Sequence, residues 1–157
     1  DSVRNAEDTG EFVWNMATYD LRHAVNLTAE ELPHGVDEFE HAKLQKLPSH
    51  KVKPMRVAGS PIQFECVYLN TVRFPGEPPF GTADVVFGKV VAIHIDDEMI
   101  DGKGMLDVLK MKPLARMGYY DYTYVDNKFE MIIGGDNKAL LAGLEGSPDK
   151  AKTAFGS

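Results

Sequence analysis

Two long strands separated by a proline-rich break constrain the fold more than any other feature of the sequence. From Ile62 apolar residues recur at every second position, and the pattern runs to Phe74, which is the periodicity of a strand. The segment 75–79 interrupts it, and alternation resumes from Val85 to Ile95. Both faces of this second strand are largely apolar, which predicts that it is covered on both sides or bends around a barrel. Gly88 in its middle predicts a bend or bulge.

The first sixteen residues predict a helix followed by a strand. Ser2 is a good N-cap residue, Gly10 is suited to the helix end, and Glu11–Met16 has the composition of a strand. A helix N-terminus with a hydroxyl and the nearby Arg4 is suited to binding a phosphate. The alternative, which the local pattern alone favours, is a capped helix on which Arg4 and Asn5 are simply exposed polar residues.

The region between these features contains short elements. The sequence predicts a short helix ending at Asn26 and capped by Thr18 or Asp20. It also predicts a turn of helix over Val36–Ala42 with Val36 and Phe39 facing inward. The prolines between Leu47 and Pro61 predict an extended connection.

After the long strands we expect a helical turn over Met105–Lys110 and then a hairpin. The hairpin pairs Tyr119–Val125 with Lys128–Ile133 across Asp126 and Asn127. The predicted fold is mainly β (α+β), antiparallel, with short peripheral helices and a closed or nearly closed barrel that removes exposed edges. We expect one domain over residues 1–133 and a tail over 134–157 that is partly helical, over Asp136–Leu144, or flexible.

Composition excludes several classes of function. The net charge of −7 argues against a nucleic-acid partner, because such proteins normally present a basic face. No apolar run approaches the roughly 20 residues of a membrane span, so we expect no membrane association. The single cysteine, Cys66, cannot form a disulfide within the chain, which fits a reducing, cytoplasmic compartment. The five histidines show no convincing ligand spacing apart from a weak pair, His34 and His41, so we expect no metal site.

Two features have both a structural and a functional interpretation. His94 ends an apolar strand, where a histidine satisfied at the rim of the sheet is the favoured interpretation. The segment from Arg116 to Tyr124 has four tyrosines within six residues. They predict either aromatic pairs at a hairpin edge or an aromatic wall beside a planar ligand, with Arg116 facing an anion.

Five different segments follow one another along the chain, and their order and spacing taken together are specific. They are Asp1-Ser2-x-x-Asn5 with Thr9-Gly10-Glu11-Phe12-Val13-x-Asn15; Ala24-x-Asn26-x-Thr28 with Pro33-x-Gly35-x-x-Glu38-Phe39; Ser60-Pro61-x-x-Phe64-Glu65-Cys66; Phe87-Gly88-x-Val90-x-x-x-His94-x-Asp96-Asp97; and Pro113-Leu114-Ala115-Arg116-x-Gly118 with Tyr122. Through the order of these five segments the chain resembles the flavin reductase-like FMN-binding split-barrel family, and within it the flavoredoxin-type branch.

The resemblance implies an antiparallel split β-barrel that dimerises and binds FMN, with FAD as the alternative, near the dimer interface. Ser2 stands where the family has a phosphate-binding threonine. Arg4 would add charge there, and the family pattern places Asn5, Asn26, Thr28 and Tyr122 around the cofactor. Tyr119 stands where the corresponding family segment has its second glycine. Glycine tolerates a positive φ more readily than tyrosine does. The family has further strands before this point, so we expect that the N-terminal part of the domain is missing from this chain.

The implied function is an oxidoreductase that transfers hydride or electrons from NAD(P)H to flavin or to a small-molecule or protein acceptor. His94 and Arg116 would orient the nicotinamide or the acceptor as the catalytic residues. The alternatives are an FMN-carrying electron-transfer protein without NAD(P)H activity, whose acidic surface suits a basic redox partner, and a cofactor-free binding relative.

Overall fold

The computed structural model describes residues 2–30, 32–33, 35–77 and 81–131. The chain divides into two units, Asp1–Asp126 and Asn127–Ser157, and every element described below belongs to the first. The predicted tail helix over Asp136–Leu144 lies outside the described residues. No helix within the described ranges is both long enough and apolar enough to cross a membrane.

The described part of the chain is mainly antiparallel β-structure with short helices, as predicted. The helices are α1 (Ser2–Thr9), α2 (Arg22–Leu27), α3 (Glu38–His41) and α4 (Val108–Met111), with a 3-10 turn over Asp97–Met99. The strands are β1 (Glu11–Asn15), β2 (Lys46–Leu47), β3 (Arg56–Val57), β4 (Ile62–Phe74), β5 (Ala83–Ile95), β6 (Leu114–Arg116) and β7 (Tyr122–Tyr124).

The two long strands predicted from alternation are β4 and β5, and they form the main sheet together with β1. The strand order is β1-β4-β5, and both pairings are antiparallel. The β4–β5 ladder runs from Ile62 opposite Ile95 to Phe74 opposite Ala83, with register shifts after Glu65 and after Tyr68. Gly88, which pairs with Tyr68, lies at the second shift, where the extra residue is Leu69 of β4. The irregularity predicted at Gly88 is therefore present, but the extra residue is in the partner strand.

Gly88 also leaves room for the aromatic ring of Phe12, a residue of β1. A Cβ atom at this position would lie 2.4 Å from Cζ of Phe12 and 3.1 Å from Cβ of Cys66. No side chain fits there without moving the aromatic ring. Glycine is therefore required at this position by the space that Phe12 occupies.

The helix and strand predicted at the start of the chain are confirmed. Gly10 ends α1 with a φ of +72°, and its N–H donates to the carbonyl of Ala6 at 3.0 Å. The short helix predicted before residue 27 is also present as α2, but no side chain caps it. The predicted cap by Thr18 or Asp20 is wrong, because the buried Thr18 uses its backbone carbonyl to accept from the N–H of Leu21 at 3.0 Å.

The predicted turn of helix near residue 40 is α3. The side chain of Asp37 accepts a hydrogen bond from the N–H of Phe39 at 3.0 Å and caps its start. Val36, however, is 46% exposed rather than turned inward. It precedes the cap and lies in the loop, so the helical spacing from which its orientation was predicted does not apply to it.

The tyrosine segment forms a strand of a hairpin, but the prediction named the wrong partner strand for it. β7 pairs with β6, which precedes it, placing Arg116 opposite Tyr122 and Leu114 opposite Tyr124. Residues 128–131 form no strand, and residues 132–133 lie outside the described ranges. The turn between β6 and β7 contains Tyr119 with a φ of +58°. Tyr119 therefore adopts the backbone conformation for which the family segment uses glycine.

In the part of the chain that the structure describes, much of β5 is exposed, so of the two predicted alternatives, coverage on both sides or bending around a barrel, the first is not observed. The large apolar side chains of this strand that stay exposed are Val85, Phe87, Val90, Val91, Ile93 and Ile95. The most buried residues of the sheet lie at the start of β4: Ile62, Gln63, Glu65 and Cys66. The covered part of the sheet is therefore the part next to β1 and the 48–55 loop.

Candidate functional site

A cleft of about 610 Å³ lies among α1, β1, α2 and α3, and we call it the first cleft. Small-molecule sites typically have volumes of about 300–1,000 Å³. Its apolar wall includes Phe12, Leu21, Phe39, Leu44 and Met55. Its polar side chains include Ser2, Asn5, Thr9, Glu11, Asn15 and Thr28. The structure thus brings three of the predicted cofactor-binding residues, Ser2, Asn5 and Thr28, to one cavity.

Several polar groups of the first cleft are already used within the protein. Thr9 Oγ1 donates to the carbonyl of Asn5 at 2.7 Å, and Thr28 Oγ1 donates to the carbonyl of Val25 at 3.1 Å. Asn15 Oδ1 accepts from the N–H of Val57 at 2.9 Å. Among the described residues, the side chains of Ser2 and Asn5 have no hydrogen-bond partner. These two side chains therefore keep their full hydrogen-bonding capacity for a ligand at the start of α1.

The charge distribution of the first cleft differs from the sequence-based expectation. Arg4 is not part of its lining. The guanidinium Nε of Arg4 lies 3.5 Å from Oδ2 of Asp8, one turn along α1, and both side chains are largely exposed. Within the described residues the lining contains Glu11 and Glu38 and no lysine or arginine. An anion in this cleft would therefore depend on the N–H groups of the first turn of α1 and on the Ser2 hydroxyl.

A second cleft of about 340 Å³ contains two other predicted residues, Asn26 and Tyr122. It lies between α2 and the β6–β7 ribbon, and its lining shares only Val25 with the first cleft. Arg116 lies outside the lining, with its guanidinium carbon 6.0 Å from the ring centroid of Tyr122. The structure thus divides the predicted cofactor-binding residues between two clefts on either side of α2.

His94, predicted as a catalytic residue, lines neither cleft. Its Nε2 lies 2.5 Å from Oε1 of Glu65, and its side chain is 17% exposed. The ring also meets the ring of His50 edge-on, with 4.9 Å between the centroids. This geometry places His94 among fixed partners rather than at a ligand-accessible surface.

Glu65 is the residue of this region that sequence reasoning missed. Its side chain is fully buried and accepts backbone hydrogen bonds from His50 at 2.8 Å, Lys51 at 2.5 Å and Val52 at 3.1 Å. Burial opposes ionisation, but these donors and His94 outweigh it and lower the pKa of Glu65 from 4.5 to about 2. The signal in the sequence was an acidic residue within an apolar strand, which requires partners if it is buried.

The same carboxylate fixes a loop that reaches the first cleft. Residues 50–52 donate to Glu65, and the N–H of Lys53 donates to Oε2 of Glu11 at 2.8 Å. The next two residues, Pro54 and Met55, line the first cleft. Glu65 therefore connects the interior of the sheet to one wall of the candidate site.

Comparison with known proteins identifies the class to which this fold and its cleft belong. The model of the flavin reductase like domain matches residues 1–127. The chain therefore belongs to the flavin reductase like family, as the five sequence segments predicted.

Two uncharacterized proteins are similar in sequence to most of the chain. An uncharacterized protein of Methanothermobacter thermautotrophicus is 36% identical over 138 residues, which cover 83% of this chain and 63% of that protein. An uncharacterized protein of Aquifex aeolicus is 32% identical over 133 residues, which cover 83% of this chain and 65% of the relative. The chain thus spans less than two thirds of the length of these relatives.

Solved structures show the same fold. Nitrilotriacetate monooxygenase component B from Bacillus cereus superposes with a TM-score of 0.75 at 29% identity, covering 83% of this chain and 64% of that chain. A Shewanella frigidimarina protein with a split barrel domain gives a TM-score of 0.72 at 18% identity, covering 85% of this chain and 65% of that chain. The predicted split-barrel fold class is confirmed.

Proposed function

We propose that the chain is the FMN-binding part of an oxidoreductase that transfers electrons from NAD(P)H to the flavin or to a downstream acceptor. Membership of the flavin reductase like family supports this proposal. The observation that carries it is the first cleft, where the side chains of Ser2 and Asn5, which have no hydrogen-bond partner among the described residues, lie beside an apolar wall. FMN combines a dianionic phosphate with a flat, largely apolar ring system, and FAD presents the same ring system.

The residues of the first cleft fit such a group in composition. The start of α1 provides N–H groups and the Ser2 hydroxyl for phosphate oxygens, and Asn5 provides a further donor. Phe12 and Phe39 provide apolar surface suited to a flat ring. The bound flavin would supply the redox chemistry, and the chain's own residues would hold it in place and exclude water from one side.

The roles predicted for His94 and Arg116 toward the nicotinamide or the acceptor remain predictions. Arg116 lies beside the second cleft, where an anionic group could reach it. His94 is hydrogen-bonded to the buried Glu65. We assign His94 a positioning role, because that carboxylate also holds the backbone of residues 50–52. Asn26 and Tyr122 line the second cleft, so the flavin proposal rests on Ser2, Asn5 and Thr28.

The test is a titration of the full chain with FMN, followed by anaerobic addition of NADH or NADPH. We expect the protein to bind FMN and either nucleotide to bleach the flavin absorbance. Bound flavin that stays oxidised with both nucleotides would favour the second candidate, an FMN-carrying electron-transfer protein, for which the net charge of −7 favours docking to a basic redox partner. Absence of flavin binding would contradict both and leave a cofactor-free relative.

We also propose that the protein forms a homodimer through the exposed apolar residues of β5. Six large apolar side chains of this strand are between 37% and 59% exposed, and a second copy would remove them from water. In sedimentation equilibrium we expect a dimer that Ile93→Glu converts to a monomer. Val36→Glu, at an exposed residue outside β5, should leave the dimer intact. A monomeric wild type or a dimeric Ile93→Glu variant would contradict the proposal.

A further inference from the structure

The second cleft is built mainly from aromatic rings. Tyr19, Tyr120, Tyr122 and Tyr124 contribute to its lining, and the rings of Tyr19 and Tyr124 lie 4.6 Å apart between centroids. Its volume of about 340 Å³ lies within the range of small-molecule sites. Aromatic walls of this kind favour a flat ligand, because ring stacking and edge contacts add to the free energy gained from apolar burial.

Arg22 provides a cation at a fixed position in this aromatic lining. Its guanidinium carbon lies 4.1 Å from the ring centroid of Tyr19, and its Nη1 donates to the carbonyl of the same residue at 2.8 Å. A guanidinium has five N–H donors. Within the described part of the chain, Arg22 has no carboxylate partner and no second hydrogen bond. Most of its donor capacity is therefore free for a ligand.

The two clefts lie on different sides of α2, and the residues that line them differ in charge. Arg22 and Asn26 line the second cleft, whereas Ala24 and Thr28 line the first, and only Val25 lines both. The described lining of the first cleft contains acidic residues and no lysine or arginine, whereas the second contains Arg22 and no acidic residue. A small ligand that fits about 340 Å³ and combines an aromatic ring system with one negative charge would therefore prefer the second cleft.

We propose that the second cleft is a binding site for planar aromatic carboxylates, with the ring among the tyrosines and the carboxylate on Arg22. Arginine suits this role because its planar guanidinium matches the two oxygens of a carboxylate. The site is separate from the cleft assigned to the flavin, so this inference does not depend on flavin binding.

The test is calorimetric titration of the full chain with 2-naphthoate as the probe. We expect saturable binding that weakens at least tenfold for the neutral 2-naphthamide and at least tenfold in Arg22→Gln. Lys103→Gln is the matched control, because it removes the same charge from an exposed residue of the loop after β5 and should leave the affinity within twofold of wild type. Arg22→Lys should bind with intermediate affinity, since it keeps the charge but loses the planar pair of donors.

A second variant keeps the test valid if Arg22→Gln fails to fold. Tyr120 is 96% exposed, so Tyr120→Ala removes a ring from the cleft with almost no loss of buried surface, and we expect it to weaken naphthoate binding at least threefold. Equal affinity for naphthoate and naphthamide would overturn the proposal, as would absence of saturable naphthoate binding. Displacement of naphthoate by FMN would also overturn it, because the two ligands would then share one site.

Discussion

His94 Nε2 lies 2.5 Å from Oε1 of Glu65, whose side chain is fully buried beneath the 48–55 loop. The two residues come from neighbouring strands, β4 and β5, and the carboxylate also accepts three backbone N–H groups from residues 50–52. A buried carboxylate with four donors is a stable anchor, because each donor replaces part of its lost hydration. The loop that it holds continues into the wall of the first cleft.

Glu65→Gln should lower the free energy of unfolding by about 3 kcal/mol, since a neutral amide cannot accept all four hydrogen bonds and leaves buried donors unsatisfied. Urea denaturation followed by circular dichroism measures the change. Glu98→Gln is the control, because the side chain of Glu98 is 79% exposed and its contact with Lys110 is long, at 3.5 Å; we expect a change within about 0.5 kcal/mol. Equal stability of the two variants would show that Glu65 is not an anchor.

The depressed pKa of Glu65 predicts how stability depends on pH. The native carboxylate titrates at a pKa of about 2 and the unfolded one near 4.5, so the unfolded state binds the proton first as the pH falls. The contribution of Glu65 is complete above pH 4.5 and is lost progressively between pH 4.5 and 2. The stability difference between wild type and Glu65→Gln should therefore shrink over that interval in urea denaturation at successive pH values. A difference that stays constant from pH 6 to pH 2.5 would contradict the assigned pKa.

The sequence predicted the long strands well, but it did not predict that the candidate cofactor-binding residues lie in two separate clefts. Alternation over β4 and β5 is a local pattern with a fixed period, and it located both strands to within two residues. The partner of β7 depends on contacts between separate segments, and the tyrosine pattern alone did not indicate that Arg116 lies opposite Tyr122. The separation of Asn26 from Thr28 has the same origin, since the faces that α2 presents to the two clefts are set by packing around it.

Ser2→Ala should weaken FMN binding by about 1–2 kcal/mol, the scale of one lost hydrogen bond to a charged group. Quenching of FMN fluorescence on titration with protein measures the affinity. Arg4→Ala is an informative comparison, because Arg4 pairs with Asp8 outside the first cleft and its charge is screened at 0.15 M salt. We expect less than a threefold change for Arg4→Ala. If Ser2→Ala binds FMN as tightly as wild type, the phosphate does not lie at the start of α1.

Gly88→Ala should destabilise the protein although alanine is compatible with a strand. The new Cβ would lie 2.4 Å and 2.6 Å from two ring carbons of Phe12, so the ring must leave its position over Gly88, at an expected cost of about 2 kcal/mol. Thermal unfolding measures the effect, and Gly102→Ala is the control because nothing lies within 4 Å of a Cβ atom at that position. The double variant Phe12→Leu/Gly88→Ala should recover part of the loss relative to the sum of the two single variants, since a smaller side chain leaves room for the methyl group. Additive losses in that cycle would mean that the two positions do not compete for the same space.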